Sequence, residues 1–462
     1  MLRNFKIKLG YAPTRRTDPF PAPEFAIKNE RSIRAVTEKN LSKIGDVELV
    51  GIDWLNEEGL LKEPLEADVV ADYFQKEKVD ALFVPHANFG CEEAVGRLAA
   101  RLKVPVLLWA PCDDTFPERM TDSQCGMFAT SMALSHWKVP FTYIENCSGE
   151  SPVFEQGLDC FIRAACVVKE FRNMRIAQVC QRPRAFLSVR YNETELNEKF
   201  GIEVVAVDST ELIRTFNEVL NQSKDVEERI AEIRKKTDVS RMEAEKLMRS
   251  AAAELALEKI AAEHGCNAMA SQCFELFEAI ENIWPCAAFG NLTERFLPVA
   301  CETDVHGAIS SALLQAAARG ETSTFLTDLT VRHPENENAE LLWHCGVFPP
   351  SLAKDHKAVT VGMGVNTYEL KSGDLTVCRF GGLQGRYKLF ADEAHTTQGP
   401  STDSSYVWME VDDWKMWERK FMYGPYIHHV SVAHGKYAAA LREACRYLEI
   451  EADYADKNNG NN

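Results

Sequence analysis

The sequence lacks the features that mark membrane proteins, zinc-finger proteins and dinucleotide-binding enzymes. No stretch of its 462 residues is apolar for long enough to span a bilayer. The N-terminal "MLRNFKIKLGY" has no apolar core followed by small residues, as a signal peptide would. No two of the 14 cysteines are spaced Cys-x-x-Cys, and no Gly-x-Gly-x-x-Gly follows a predicted strand. These absences predict a cytoplasmic protein with reduced cysteines and no dinucleotide cofactor.

Positive charge is also scarce. The chain has 52 Lys and Arg against 69 Asp and Glu, which gives a formal net charge of -17. Such a surface repels phosphate backbones, so we expect no nucleic-acid partner. We also expect no membrane partner. The hydrophobic share of 45% is typical of a globular chain that can bury a large core.

The first third of the sequence alternates predicted strands and helices. "DALFVPH" and "VPVLLWAP" are typical of buried strands, and "CEEAVGRLAARLK" between them has helical spacing. This alternation predicts parallel βαβ units, and we assign residues 1–174 to a Rossmann-like, doubly wound α/β domain. Because ligands of such sheets bind beyond the carboxyl ends of the strands, the turns "YAPTRR", "PHANFG" and "PCDD" are candidate binding segments.

Two further domains are predicted after residue 174. A second α/β domain covers 175–320 and includes a long charged helical region from Lys224 to Gly265. A β-rich, antiparallel barrel-like domain covers 321–456, where "SSYVWMEVDDWKMWERKFM" is predicted as β or turn structure and "KYAAALREACRYLEI" as a closing helix. The tail at 457–462 is predicted to be disordered.

Four polar stretches interrupt the apolar pattern of the last third. They are "CETDVHG", "TFLTDLTVRH", "LLWHCG" and "GPYIHHVSVAHG", and they carry Glu302, Asp328, His344 and the pair His428 and His429. Carboxylates combined with imidazole suit manganese, iron, cobalt or nickel. Two carboxylates and one histidine also leave coordination positions open for a substrate that binds through two oxygens.

Each of these residues also has a structural explanation. Glu302 and Asp304 are also explained as negative charges at the start of the following helix, with Thr303 as its cap, and Asp328 as the end of a strand. His344 lies in an apolar stretch where a buried histidine with satisfied hydrogen bonds is the commoner outcome. One member of the His428 and His429 pair usually points away from the other, so we expect at most one of them to bind a metal.

The order "ACE-x-D-x-x-G-A", "F-x-x-D", "HCG" and "HH…HG" resembles the L-fucose isomerase and L-arabinose isomerase superfamily over most of the chain. The resemblance implies two Rossmann-like domains followed by a β-rich C-terminal domain. It also implies aldose–ketose isomerisation with a divalent metal, Mn²⁺ or another cation such as Co²⁺ or Mg²⁺. The implied ligands are Glu302, Asp328 and one C-terminal histidine, with His429 ahead of His428, and His344 matches a ligand of the arabinose isomerase branch.

The resemblance further implies an ene-diol proton transfer in which Glu302 and Asp328 are the acid and the base, in an order left open. The implied substrate is a free monosaccharide of the L-fucose, D-arabinose or L-arabinose type, and the implied assembly is a homo-oligomer, a trimer or hexamer. Two alternatives stay open, a non-catalytic sugar-binding protein and a metal-dependent epimerase or aldolase. The candidate substrate-binding residues are Arg16, His86, Asn88, Ser123 and Gln124.

Overall fold

The chain forms two compact units in the computed structural model, which describes residues 5–17, 23–112, 121–274, 277 and 282–455. The first unit comprises Phe5–Lys169 with Arg446–Glu449, and the second comprises Glu170–Cys445 with the residues from Ile450 onward. The predicted disordered tail lies outside the described residues. The predicted division into three domains stays a prediction.

The first unit is built on a parallel sheet of five strands. Its elements are β1 (Ile7–Tyr11), α1 (Pro23–Ile44), β2 (Val47–Gly51), α2 (Pro64–Glu77), β3 (Ala81–Pro85), α3 (Glu92–Leu102), β4 (Val106–Pro111), α4 (Ser123–His136), β5 (Thr142–Cys147) and α5 (Pro152–Arg172). The strand order is β2-β1-β3-β4-β5, and every pairing is parallel. Since the order reverses between β1 and β3, the loops after these two strands frame the ligand-binding crevice expected of a doubly wound sheet.

The second unit begins with a smaller parallel sheet. Its elements are β6 (Arg175–Val179), α6 (Glu193–Phe200), β7 (Glu203–Val207), α7 (Ser209–Leu220), α8 (Ser223–Lys236), β8 (Thr237–Arg241), α9 (Ala244–Glu263), β9 (Ala268–Ser271), α10 (Cys286–Glu294), β10 (Val299–Ala300) and α11 (Val305–Ala317). The sheet order is β10-β9-β6-β7. The predicted helical region from Lys224 to Gly265 is two helices separated by β8, which pairs with β13 (Ala358–Val361).

The rest of the second unit is a large, mainly antiparallel sheet. Its strands are β11 (Thr324–Arg332), β12 (Ala339–His344), β15 (Tyr368–Glu369), β16 (Asp374–Leu383), β17 (Arg386–Thr397), β18 (Ser405–Glu410), β19 (His429–His434) and β20 (Glu451–Asp453). Six of them pair in a closed antiparallel ring, β11-β12-β18-β17-β16-β19 and back to β11. Helix α11 is buried along its whole length and bonds to this ring, since Ser310 Oγ accepts from Phe380 N and Ser311 Oγ lies 2.7 Å from Ser431 Oγ.

Two helices and the short β14 (Val365–Asn366) complete the second unit. Residues Trp414–Tyr423 form α12, so the prediction of β or turn structure is wrong for this segment. Asp413 caps the helix by accepting from Met416 N at 3.2 Å, and Trp414 and Trp417 are buried on one face. These tryptophans are therefore core residues. The predicted closing helix is confirmed as α13 (Ala438–Cys445).

The coarse fold prediction, a mixed α/β protein with parallel sheets and a β-rich C-terminal sheet, is confirmed. Among the residues that the structure describes, no helix combines the length and the apolar character that crossing a membrane requires. All 14 cysteines are free thiols.

Candidate functional site

A strained turn after β10 positions the carboxylate of Glu302. Residues Cys301–Thr303 form one turn of 3₁₀ helix in which Glu302 has φ 62° and ψ 22°, and Thr303 has φ 58°. Left-handed backbone at residues other than glycine costs about 1–3 kcal/mol each and is often retained at functional sites. The turn ends at Asp304, whose side chain caps α11 by accepting from Gly307 N at 3.0 Å. The predicted start of the helix is thus present, but its cap is Asp304 instead of Thr303, and Glu302 lies two residues before it.

Two neighbouring strands bring the other candidate ligands to Glu302. Asp328 on β11 is the direct cross-strand partner of His429 on β19. Nε2 of His429 lies 2.9 Å from Glu302 Oε2 and 3.6 Å from Asp328 Oδ1. His428 lies further out, half exposed, with Nε2 at 3.9 Å from Asp328 Oδ1. Of the two adjacent histidines, His429 is therefore the one that meets both carboxylates.

Asp304 holds the imidazole of His429 from behind. Its Oδ2 lies 2.9 Å from His429 Nδ1, and its two oxygens accept from Arg379 Nη1 at 2.5 Å and Nη2 at 3.1 Å. Burial opposes ionisation, but the Arg379 charge and the His429 hydrogen bond hold the pKa of Asp304 far below its usual range. The anionic Asp304 therefore accepts the Nδ1–H, which aims Nε2 at Glu302 and Asp328.

This second role of Asp304 was missed in the sequence, and so was Arg379. A signal was present in "LTVCRFGG", because an arginine inside an apolar strand requires a buried acceptor. Only 2% of Arg379 is exposed. The sequence does not say which of the 69 acidic residues is its partner.

The donor atoms fit a divalent cation. Asp328 Oδ1 and His429 Nε2 are buried without a hydrogen-bond partner, and Glu302 Oε2 lies 2.9 Å from Nε2. Burial opposes the protonation of His429, but the Asp304 hydrogen bond and the nearby Glu302 carboxylate raise its pKa to about 9. The pocket thus stabilises positive charge strongly. Two carboxylates and one imidazole form a donor set that suits Mn²⁺.

His344 lies beside this group with a different orientation. Its ring centroid is 6.3 Å from that of His429, and its Nδ1 accepts from the backbone N–H of Cys345 at 2.9 Å. The same Nδ1 lies 3.2 Å from Cys345 Sγ, and Nε2 is buried without a hydrogen-bond partner. Burial opposes protonation of this ring, but Cys345, Asp328 and Glu302 raise the pKa of His344 to about 10, so the surroundings favour a charged ring.

The predicted substrate-binding residues lie in the first unit, at the carboxyl edge of its sheet. Asn88 Oδ1 accepts from Arg16 N at 2.8 Å and from Gly90 N at 3.0 Å, so this side chain shapes the loop after β3. The Arg16 guanidinium lies 3.8 Å from the centroid of the Phe89 ring and 3.4 Å from Glu92 Oε1. The predicted role of Arg16 at a neighbouring subunit stays a prediction.

The other three differ in how accessible they are. His86 is fully buried, and although a hydrogen bond to Phe89 O favours the charged ring, burial lowers its pKa to about 4. Ser123 Oγ donates to Pro111 O at 2.8 Å, and Gln124 is exposed. Only Gln124 is both polar and freely accessible among these three, and their contact with a sugar stays a prediction.

Comparison with known proteins agrees with these observations. The model of the fucose/sulfoquinovose isomerase N-terminal domain matches residues 12–172. A sulfoquinovose isomerase of Alkalicoccus urumqiensis is 26% identical over 329 residues, which cover 70% of this chain and 73% of the relative. These matches support membership of the fucose isomerase-like superfamily.

A second relative spans more of the chain. The sulfoquinovose isomerase of Priestia aryabhattai is 24% identical over 390 residues, 82% of this chain and 86% of the relative. These relatives confirm the predicted superfamily and the predicted enzyme class, an aldose–ketose isomerase. A solved periplasmic solute binding protein from Actinobacillus succinogenes with bound D-allose aligns at 13% identity over 68% of this chain and 92% of that one, and its TM-score of 0.18 carries no argument.

Proposed function

We propose that this isomerase requires a divalent cation, with Mn²⁺ as the first candidate, and acts on a free monosaccharide, with sulfoquinovose as the first candidate. The observation that carries the proposal is the convergence of Glu302 and Asp328 on Nε2 of His429, which Asp304 holds from behind. The proposed ligands are Glu302, Asp328 and His429. Co²⁺ and Mg²⁺ are the next candidates.

The two carboxylates supply the proton transfer of the proposed mechanism. When bound, the divalent cation supplies electrostatic stabilisation of the negative charge that develops on the two sugar oxygens. One carboxylate, Glu302 or Asp328, takes the proton from carbon 2, and the other group delivers a proton to carbon 1. The hydroxyl proton of oxygen 2 passes to oxygen 1, and proton exchange between the two groups restores their starting states. Glu302 is 6% exposed, so little water competes for a proton that it carries. Asp304, by accepting the Nδ1–H of His429, makes Nε2 the nitrogen that faces the two carboxylates.

A cationic loop beside the site supports a sulfonated substrate. We name residues 181–191 the arginine loop, because it contains Arg182, Arg184 and Arg190. Its first residue, Gln181, accepts from Thr303 Oγ1 at 3.4 Å, and the ring of its last, Tyr191, lies 6.5 Å from that of His306. Both ends of the loop thus contact the segment that carries Glu302.

The roles within the arginine loop differ. Arg182 Nη1 donates to three carbonyls of its own loop and so fixes the loop's shape. Arg184 and Arg190 are exposed. Guanidinium groups bind sulfonate-like oxyanions well. Three arginines in one loop are also an unusual concentration of positive charge in a chain whose net charge is -17. Because the relatives are sulfoquinovose isomerases, this favours sulfoquinovose, a glucose with a sulfonate at carbon 6, over L-fucose or L- and D-arabinose.

The test is a substrate and metal screen of the purified protein. The chelator-treated enzyme receives Mn²⁺, Co²⁺ or Mg²⁺ with sulfoquinovose, D-glucose, L-fucose, D-arabinose or L-arabinose in D₂O, and ketose is followed by NMR. We expect ketose formation from sulfoquinovose only after metal is restored. Turnover that survives complete chelation contradicts the metal requirement, and absence of any turnover supports a sugar-binding protein.

Two further outcomes separate the remaining alternatives. An aldose inverted at carbon 2 without ketose indicates an epimerase, and three-carbon fragments indicate an aldolase. We further propose that the enzyme is a cytoplasmic homo-oligomer, a trimer or hexamer, in which Arg16 reaches the site of a neighbouring copy. A monomer in light scattering at micromolar concentration contradicts this assembly.

A further inference from the structure

Four thiols from four separate segments meet behind Glu302. The neighbouring thiols of Cys273 and Cys345 raise the pKa of the Cys301 thiol, and the Cys345 thiol likewise raises the pKa of Cys286, so the four side chains lie close together. Cys273 and Cys301 come together because β9 and β10 are parallel neighbours and both chains leave the sheet at the same edge. The proposed isomerisation uses none of these thiols.

Two of the thiols share a potential cation site with Glu302. The Sγ atoms of Cys273 and Cys301 and a carboxylate oxygen of Glu302 all lie within 4.8 Å of one another. Donor atoms bound tetrahedrally to one zinc ion at about 2.0–2.3 Å are about 3.3–3.8 Å apart, so inward shifts of up to about an ångström bring these three atoms to common coordination. All three residues are buried, at 2%, 0% and 6% exposure.

We infer that Cys273, Cys301 and Glu302 form a second cation site that takes a thiophilic divalent ion, Zn²⁺ or Cd²⁺. Thiolate ligands select soft ions, whereas Mn²⁺ prefers oxygen and nitrogen donors. Cys345, whose thiol contacts that of Cys301, provides a further sulfur. The site is distinct from the proposed Mn²⁺ centre in every ligand except Glu302.

Sharing Glu302 makes the two sites exclusive. A thiophilic ion that engages the Glu302 carboxylate withdraws one of the three proposed Mn²⁺ ligands and one of the two proposed proton carriers. Thiophilic ions therefore inhibit the enzyme by expelling Mn²⁺, not by unfolding it. This consequence rests on the proposed function, while the existence of the thiol site does not.

The test of the site itself is optical and needs no activity. The full-length protein, reduced with a phosphine, is titrated with Cd²⁺, and thiolate-to-Cd²⁺ charge-transfer absorption is recorded in the ultraviolet. We compare wild type with Cys273→Ser and, separately, Cys301→Ser, so that one misfolded variant does not decide the result. Cys445→Ser, a buried thiol in α13, is the matched control.

We expect each of the two variants to lose one Cd²⁺ equivalent per chain with its charge-transfer band, and Cys445→Ser to titrate like wild type. The inference is overturned if folded Cys273→Ser and Cys301→Ser retain the full Cd²⁺ signal. That outcome leaves the isomerase proposal intact.

A second measurement tests the exclusion. Wild-type protein loaded with Mn²⁺ is titrated with Cd²⁺ while free Mn²⁺ is followed by electron paramagnetic resonance. Stoichiometric release from wild type, absent in Cys273→Ser, supports the shared carboxylate. Cd²⁺ binding without Mn²⁺ release rejects the sharing of Glu302, and failure of the protein to bind Mn²⁺ at all contradicts the proposed function instead of the thiol site.

Discussion

Asp304 Oδ2 lies 2.9 Å from Nδ1 of His429, and both side chains are completely buried. This contact joins the start of α11 to β19, two elements that are far apart in the sequence. It also explains why a chain would bury an aspartate that Arg379 must neutralise, since the same carboxylate orients a proposed metal ligand.

The first prediction concerns this contact. Asp304→Asn keeps a residue that caps helices well but removes the charge that Arg379 and His429 share. We expect the affinity for Mn²⁺ to fall about 10–100-fold, as is typical when the group that orients a metal-binding histidine is lost. The free energy of unfolding should also fall by about 3–5 kcal/mol, because the buried Arg379 loses its counter-charge. Calorimetric Mn²⁺ titration and denaturant unfolding check both effects.

The control for this variant is Asp413→Asn, which changes the cap of α12 in the same way without touching a charged partner. A purely structural role for Asp304 predicts lower stability at unchanged Mn²⁺ affinity. If saturating Mn²⁺ fails to restore turnover in folded Asp304→Asn, the positioning role is also contradicted.

The second prediction concerns the exposed residues of the arginine loop. Arg184→Gln combined with Arg190→Gln should raise KM for sulfoquinovose about 10–100-fold, the equivalent of the roughly 1.5–3 kcal/mol of a hydrogen bond to a charged group. D-glucose lacks the sulfonate, so its kcat/KM should change little. Arg214→Gln removes another exposed positive charge, from α7, and serves as the control. An equal loss for both sugars would contradict sulfonate binding by this loop.

The third prediction is a pH dependence of stability that arises away from the site. Burial of Glu340 in β12 raises its pKa to about 7, against the opposing attraction of Arg332. Between the ordinary glutamate pKa of about 4.3 and 7, the folded chain holds a proton that the unfolded chain has released. The protonated Glu340 therefore contributes its full stabilisation of the folded state below the unfolded pKa of about 4.3. This stabilisation is lost as the pH rises through 7.

Glu340→Gln should consequently raise Tm relative to wild type at pH 8, with a smaller difference at pH 5. The lost pairing with Arg332, whose Nε is 3.6 Å from Glu340 Oε2, opposes this gain only weakly because Arg332 is exposed. Glu337→Gln, an exposed change nearby, is expected to show no such pH dependence. A Tm difference that is constant between pH 5 and 8 would assign the effect to packing.

Local patterns in the sequence were enough to predict part of this architecture. Alternating apolar strands and helices predicted the parallel sheets, and polar residues at the ends of apolar runs singled out Glu302, Asp328 and the His428 and His429 pair. Each of these signals spans only a few residues, so it can be identified in the sequence without knowledge of the fold. The same applies to the start of α11 at Thr303 and Asp304, although the residue that caps the helix is Asp304 and not the predicted Thr303.

Long-range pairing could not be predicted in the same way. Arg379 lies 75 residues from Asp304, and nothing local distinguishes that aspartate from others that begin helices. The four thiols behind Glu302 come from segments whose meeting depends on sheet order. Helix α12 was missed because its aromatic residues favour strands, while its cap and its tryptophans at i and i+3 favour a helix.

The last prediction separates the two proposed proton carriers. In Glu302→Gln and Asp328→Asn the new side chain has nearly the same shape as the one it replaces, and Gln tolerates the left-handed turn about as well as Glu. Both variants should therefore give the circular dichroism spectrum of the folded wild type. Each substitution removes a charged ligand, so we expect both variants to lose Mn²⁺ retention and turnover. The loss should be more complete in Glu302→Gln, because the Glu302 carboxylate is more buried than that of Asp328.

Solvent exchange then assigns the roles at forcing Mn²⁺ concentrations. The variant that lacks the base should neither form ketose nor exchange the carbon-2 proton of the sugar with D₂O, whereas the variant that lacks the acid should still exchange it. Glu243→Gln, an exposed change before α9, should retain both activities. Full turnover by Glu302→Gln would remove this residue from the mechanism and leave the strained turn at 301–303 without a catalytic explanation.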